Sequence, residues 1–365
     1  TAVGGYTMAA NTTGYNNVAV GRGALQVNTT GVKNTAIGAY TLDANISGGH
    51  NVAVGYLALT ANTGSYNTAV GGDALAANTS GDYNTAVGKD ALGANTTGEK
   101  NVAVGAFALD ADTDHNDCVA IGYEALSANT TSSNTAVGSG ALKVNTTGSN
   151  NVAVGKGTLD ANTSGAHNVA LGISALTKNT TGQHNVAIGT LALGEQVGGG
   201  HGNTAVGYRA IHENTTGDYN SAFGFEALEA NETGEYNIAV GNQALWKNTG
   251  GSNNVAIGHI ALSEGTGGGY NVAIGREALK MNTADNNVTI GYRASWLNTS
   301  GTANVAIGYQ AGRDNQTSDG NTAIGYAALA NNTGEKNTAA GYRSLIMQAG
   351  ADKNTAFGYD AGDAV

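Results

Sequence analysis

The segment DADTDHNDC, residues 110–118, concentrates more chemistry than any other stretch of this 365-residue chain. Asp110, Asp112 and Asp114 alternate, and Asn116 and Asp117 follow them. Carboxylates at this spacing wrap hard oxygen ligands around Ca²⁺, so these five residues are a candidate calcium site and Ca²⁺ is the one cofactor the sequence suggests. An EF-hand loop needs glycine where His115 stands and a bidentate glutamate further on, so a solvated acidic turn is the rival reading. His167, His184 and His201 follow one another at intervals of 17 residues. Stacked on one edge, such imidazoles would bind a transition metal or repel one another once protonated. The rival account is a variable turn position that received three histidines, and the glycine-rich stretch Gly198, Gly199 and Gly200 threatens the register. Tyr292, Tyr309, Tyr326, Tyr342 and Tyr359 each follow a recurring glycine, and Arg293 and Arg343 come directly after two of them. An exposed aromatic row stacks on sugar rings and forms a carbohydrate-contact stripe, whereas tyrosines stacked on each other would only stiffen the molecule.

Catalytic signatures are missing. There is no Walker A loop, no HExxH and no GxSxG. A glycosidase needs two carboxylates about 5 to 9.5 Å apart in a groove, and the acidic residues outside 110–117 are scattered. The chain therefore reads as a non-enzyme. Cys118 is the sole cysteine, which excludes an intramolecular disulfide and leaves the redox compartment unread. Sequons such as those at Asn28, Asn95 and Asn179 are by-products of a repeat.

That repeat must position every candidate. A glycine closing N-[TV]-A-[VI]-G recurs 22 times, from Gly4 to Gly358, at spacings of 16 to 18 residues and most often 17. The unit reads N-[TV]-A-[VI]-G-x-x-A-L-x-x-N-T-[TS]-G-x-x. Alanine precedes the apolar residue before the glycine in every unit except at Thr289. The position four residues after the glycine is Leu, Met or Ile in every unit except at Ser295, Gly312 and Gly362. Seventeen residues are too few for a pair of helices but suit one coil of a β-solenoid. Asn-Val-Ala-Val is a short strand that glycine ends. A second short strand through Ala-Leu-x-x-Asn-Thr is expected next, closed by the Thr-Thr-Gly turn. Asparagines in phase would hydrogen-bond along the stack, with Cys118 interrupting them. The fold class is thus all-β, a single β-solenoid of 22 coils over residues 1–365, on the order of 105 Å long. The alanine row lets another backbone approach closely, either the opposite wall of the coil or a neighbouring chain, which points to an oligomer.

Composition narrows the partners. Only 12% of residues are charged, the net charge is −11, and there are 57 glycines and no proline. An acidic chain without clustered Lys and Arg is not a nucleic-acid binder. No apolar run is long enough to span a bilayer, so this segment does not insert into a membrane.

The residues NNVAVG at 16–21, NTAIG at 34–38 and NVAIG at 185–189 and 271–275 resemble the YadA-like head repeats of trimeric autotransporter adhesins, and similar repeats occur in phage tail fibres. The likeness covers the whole chain, with a longer coil and the added Ala-Leu and Asn-Thr-Thr-Gly, and without neck, stalk or anchor. It implies a left-handed, homotrimeric extracellular fibre on a cell surface or virion that adheres to surface glycans or a host receptor. The expected function is a rigid shaft that projects or presents a binding surface, with a phage tail-fibre shaft as the alternative. The chain opens and closes inside a motif, at TAVG and GYDAGDAV, which suggests a segment continued end to end. Ice binding is a further alternative, since Thr12, Thr29, Thr63, Thr79 and Thr96 form a row that breaks at Ile46, Val197 and Glu232.

Overall fold

The computed structural model describes residues 1–347 and 350–362, so the last three residues of GYDAGDAV lie outside the described residues. It contains two compact units, Thr1–His184 and Asn185–Val365. The first unit holds eleven strands from β1 (Ala2–Val3) to β11 (Val169–Leu171). The second holds eleven from β12 (Val186–Ile188) to β22 (Thr355–Phe357). Within each unit, successive strands pair in parallel and in phase. Ala19 lies opposite Ala36 and Ala36 opposite Ala53 in the first, and Ala205 opposite Ala222 in the second. The regular structure among the described residues is therefore β-solenoid, one strand of two or three residues per coil.

Alternation along each strand decides what faces the core. The central alanine points inward and is fully buried, while the residues on either side point out. Inside, the alanines meet the Ala-Leu pair of the same repeat: Ala306, Ala323 and Ala339 pack with Ala311, Ala328, Leu329 and Leu345. The close approach that the alanine row permits is thus to the opposite wall of the coil.

The expected second strand does not form. Residues two and four after each glycine hold left-handed backbone angles, as at Tyr40 (φ 56) and Leu42 (φ 48), and the segment is a run of turns. A left-handed leucine costs about 1 kcal/mol, and burying its side chain returns about 2 to 3 kcal/mol. Packing overrides local preference. Where the leucine is replaced by Ser295 and Gly312, a cavity of about 10 Å³ remains beside Ala306, Ala323 and Leu329. The strand-ending glycine is obligatory for a second reason besides φ. At Gly88 (φ +141), a Cβ would lie 2.5 Å from the carbonyl oxygen of Gly105 in the next coil.

Two asparagine ladders run along each unit. In the first, the Asn34 backbone N–H donates to Asn17 Oδ1 at 2.9 Å, and Asn34 Nδ2 donates to the Gly48 carbonyl at 2.8 Å. In the second, Asn28 Nδ2 donates both to Asn11 Oδ1 at 2.8 Å and to the carbonyl of its own turn glycine, Gly31, at 3.2 Å. Buried amides need such partners. In 16-residue coils the second ladder loses its rung: Asn62 bonds its own turn at Gly64 but not Asn45, whose Oδ1 is left without a partner.

Candidate functional site

The acidic segment occupies the coil that follows Gly105, where both ladders are interrupted. Asp112 stands in the second ladder and Cys118 in the first. Asp112 is fully buried, and its Oδ1 lies 2.7 Å from His115 Nδ1. The same ring nitrogen is 3.3 Å from Asp114 Oδ1. Burial pushes the Asp112 carboxyl above its ordinary range, and the His115 contact only partly offsets this. Cys118 is buried too, and that pushes its thiol up to about 11, so it is an inert packing group whose Sγ sits 3.3 Å from the Thr131 carbonyl.

The five proposed calcium ligands do not converge. Asp112 and Asp114 come together, with His115 between them. Asn116 instead spends its Oδ1 on the Glu99 backbone N–H, at 2.6 Å. Asp117 is exposed, with a left-handed backbone on another edge of the coil. Asp110 lines a separate groove with Phe107, Tyr123 and Glu124. Its carboxyl is raised by burial and by the nearby Asp90 and Glu124. Neighbouring side chains of this alternating run therefore point different ways.

The histidine row is shorter than its spacing suggests. His167 and His184 stack with ring centroids 5.1 Å apart and planes 9° apart. Both sit five residues before a strand-ending glycine, but His201 sits six before Gly207 because its coil has 18 residues. Gly202 takes the row position instead, against the Tyr219 ring, and the His201 backbone N–H donates to Asp218 Oδ1. The insertion shifts the register by one, so His201 stands one residue further from its strand-ending glycine than His167 and His184 do from theirs.

The five tyrosines do form a continuous stack, with centroids 5.0 to 5.2 Å apart from Tyr292 through Tyr309, Tyr326 and Tyr342 to Tyr359. Arg293 lies over Tyr292 at 5.2 Å. The ring faces between neighbours are used by the neighbours, so the row offers solvent mainly edges and hydroxyls. Other stacks were not evident from the motif alone: His50, Tyr66 and Tyr83 stack in one row, and Tyr219 on Tyr236 in another. In the threonine row, Thr12, Thr29, Thr63, Thr79 and Thr96 donate their hydroxyls to carbonyls of the next coil.

A long surface feature of each unit is the outer face of the strands. Each strand contributes Thr, Val, Ser or Ile on one side and an apolar residue on the other, and neither row contains a charge. Ile37 is 42% exposed, Ile121 39% and Phe223 43%. Eleven strands about 4.8 Å apart make this face roughly 50 Å by 10 Å in each unit, on the order of 500 Å². That is at the upper end of apolar patches on monomers. Two functional candidates that sequence reasoning passed over, a strand face and a residue, had legible signals. The outward strand face was visible in the absence of charge, and His115 in its occupation of the turn-glycine position held by Gly81 and Gly98 in the preceding coils. Compared with known proteins, the chain matches no protein-family model and no curated sequence.

Proposed function

We propose that the chain is a structural, adhesive shaft outside the cell, on a cell surface or virion, in which three copies associate through their outward strand faces. The observation that carries this reading is the uncharged, apolar row repeated on every strand of both units. Leaving that surface in water is unfavourable. A second copy is the partner whose rows repeat at the same spacing of about 4.8 Å, so its side chains mesh with these over the full length of a unit. Three as the number of copies follows from the resemblance to trimeric adhesin heads. Low charge and ladders of buried amides suit a stiff spacer better than a catalyst, and the chain is read as a non-enzyme. Its adhesive surface would engage glycans through tyrosine edges and hydroxyls flanked by Arg293 and Arg343.

Sedimentation equilibrium tests the association. A species three times the 36.3 kDa chain is expected, and a monomer at micromolar concentration would remove the proposal. A glycan array separates an adhesive surface from an inert spacer, which would bind nothing.

A further inference from the structure

The turn at 112–115 departs from its neighbours at two positions at once. The preceding coils carry Asn78 with Gly81 and Asn95 with Gly98, whereas this one carries Asp112 with His115. The double change assembles three metal-ligating groups, Asp112, Asp114 and His115, whose donor atoms all lie within 4.8 Å of one another. His115 Nδ1 is central, 2.7 Å from Asp112 Oδ1 and 3.3 Å from Asp114 Oδ1. A second observation comes from the carboxylate that faces this ring. The Asp112 side chain is wholly buried, and its Oδ2 has no hydrogen-bond partner. A buried carboxylate oxygen left unpaired is costly, and a proton or a cation relieves it. Access is open, because the side chains of His115 and Asp114 are 30% and 61% exposed.

We propose that Asp112, Asp114 and His115 form a binding site for a borderline divalent cation of the Zn²⁺ type. One imidazole nitrogen and two carboxylates, with a remaining position for water, suit such an ion, whereas Ca²⁺ takes six to eight oxygens. Ligands about 2.0 to 2.2 Å from a tetrahedral ion lie roughly 3.3 to 3.5 Å apart. The 3.3 Å separation of His115 from Asp114 already meets this. The 2.7 Å contact with Asp112 would open by roughly 0.6 Å to admit the ion. Asn116 stays outside the site, since its Oδ1 is held by the Glu99 N–H.

The test is calorimetric titration of the full chain with ZnCl₂, CaCl₂ and CoCl₂. The key variant is Asp112→Asn combined with His115→Gly, which restores the Asn-x-x-Gly turn of the preceding coils and so keeps the coil folded. The unaltered chain is expected to bind one Zn²⁺ per chain, to give the visible bands of tetrahedral Co²⁺, and to show no Ca²⁺ heat. The double variant loses both signals, while a His167→Ala and His184→Ala chain keeps them. Absence of Zn²⁺ binding by the unaltered chain overturns the site. So does undiminished binding by the double variant, or loss of binding in the His167 and His184 chain.

Discussion

Replacing Asn145 by alanine tests how much a single ladder residue holds. Its Nδ2 donates to Asn129 Oδ1 at 2.9 Å and to the Gly148 carbonyl at 2.8 Å, and its Oδ1 accepts from Asn162 Nδ2 at 2.8 Å. Alanine deletes all three bonds. None of the partners is left bare, however. Gly148 O and Asn129 Oδ1 each keep a bond from Asn134 Nδ2, and Asn162 Nδ2 keeps the Gly165 carbonyl. Without orphaned partners each lost bond costs about 0.5 to 1.5 kcal/mol, so the total is about 2 to 3 kcal/mol. In a repeat protein this loss falls on one coil and its two neighbours. Hydrogen exchange should show amides around 142–162 opening about 30- to 150-fold more readily, with distant coils unchanged. Asn145→Asp should cost more at neutral pH, because a carboxylate turns an acceptor toward Asn129 Oδ1, and should recover on acidification. A change below about 0.5 kcal/mol for the alanine variant would refute the claim that the ladder stabilises the coil.

The other expectations concern packing, backbone and surface. Gly312→Leu should raise the melting temperature: the position already holds φ 57, as the leucines of other coils do, and refilling the cavity beside Leu329 gains about 1 to 2 kcal/mol net of backbone strain. Gly88→Ala should abolish soluble expression or lower stability by more than about 3 kcal/mol, because its Cβ meets the Gly105 carbonyl at 2.5 Å; a well-folded variant would show that the coils can separate at no cost. Cys118 should resist iodoacetamide at pH 8 until the chain unfolds, since burial raises its thiol to about 11, and rapid native labelling would contradict that environment. Ile121→Lys, on the outward face, should leave chain stability within about 0.5 kcal/mol but dissociate the proposed trimer in light scattering; an unchanged mass would place the interface elsewhere.

The period, the inward alanines and the asparagine ladders were all legible in the sequence, because each depends on residues recurring in phase and phase can be counted. The segment after each glycine was not. Ala-Leu-x-x-Asn looks like a strand by composition, and only tertiary packing makes a left-handed Leu42 or Leu92 favourable. The candidate site was half legible. Asp112 stood out as a carboxylate in an amide row, but a search for oxygen ligands passed over His115, whose importance is positional: it sits where glycine sits in the coils before it. His201 falls out of phase because the one extra residue of its coil, signalled by Gly198, Gly199 and Gly200, moves a side chain to the next position on the turn. By sequence it is the alanine row that points to an oligomer, whereas the alanines face the core and the neighbouring Val and Ile carry the apolar outer face, a consequence of which side of a three-residue strand turns inward.

The 16-residue coils have a bearing on how such a chain changes length over time. Asn62, Asn129, Asn282 and Asn332 each bond the carbonyl of their own turn, while the first ladder runs past at least one such place undisturbed, as where the Asn67 N–H meets Asn51 Oδ1. One ladder therefore acts as the ruler and the other as the slack. A single-residue deletion in the turn leaves strand pairing in phase, as Ala53 opposite Ala69 shows. Recombination between repeats of unequal length would then yield chains that still wind, so natural relatives and engineered spacers can differ in coil number without redesign of the strands.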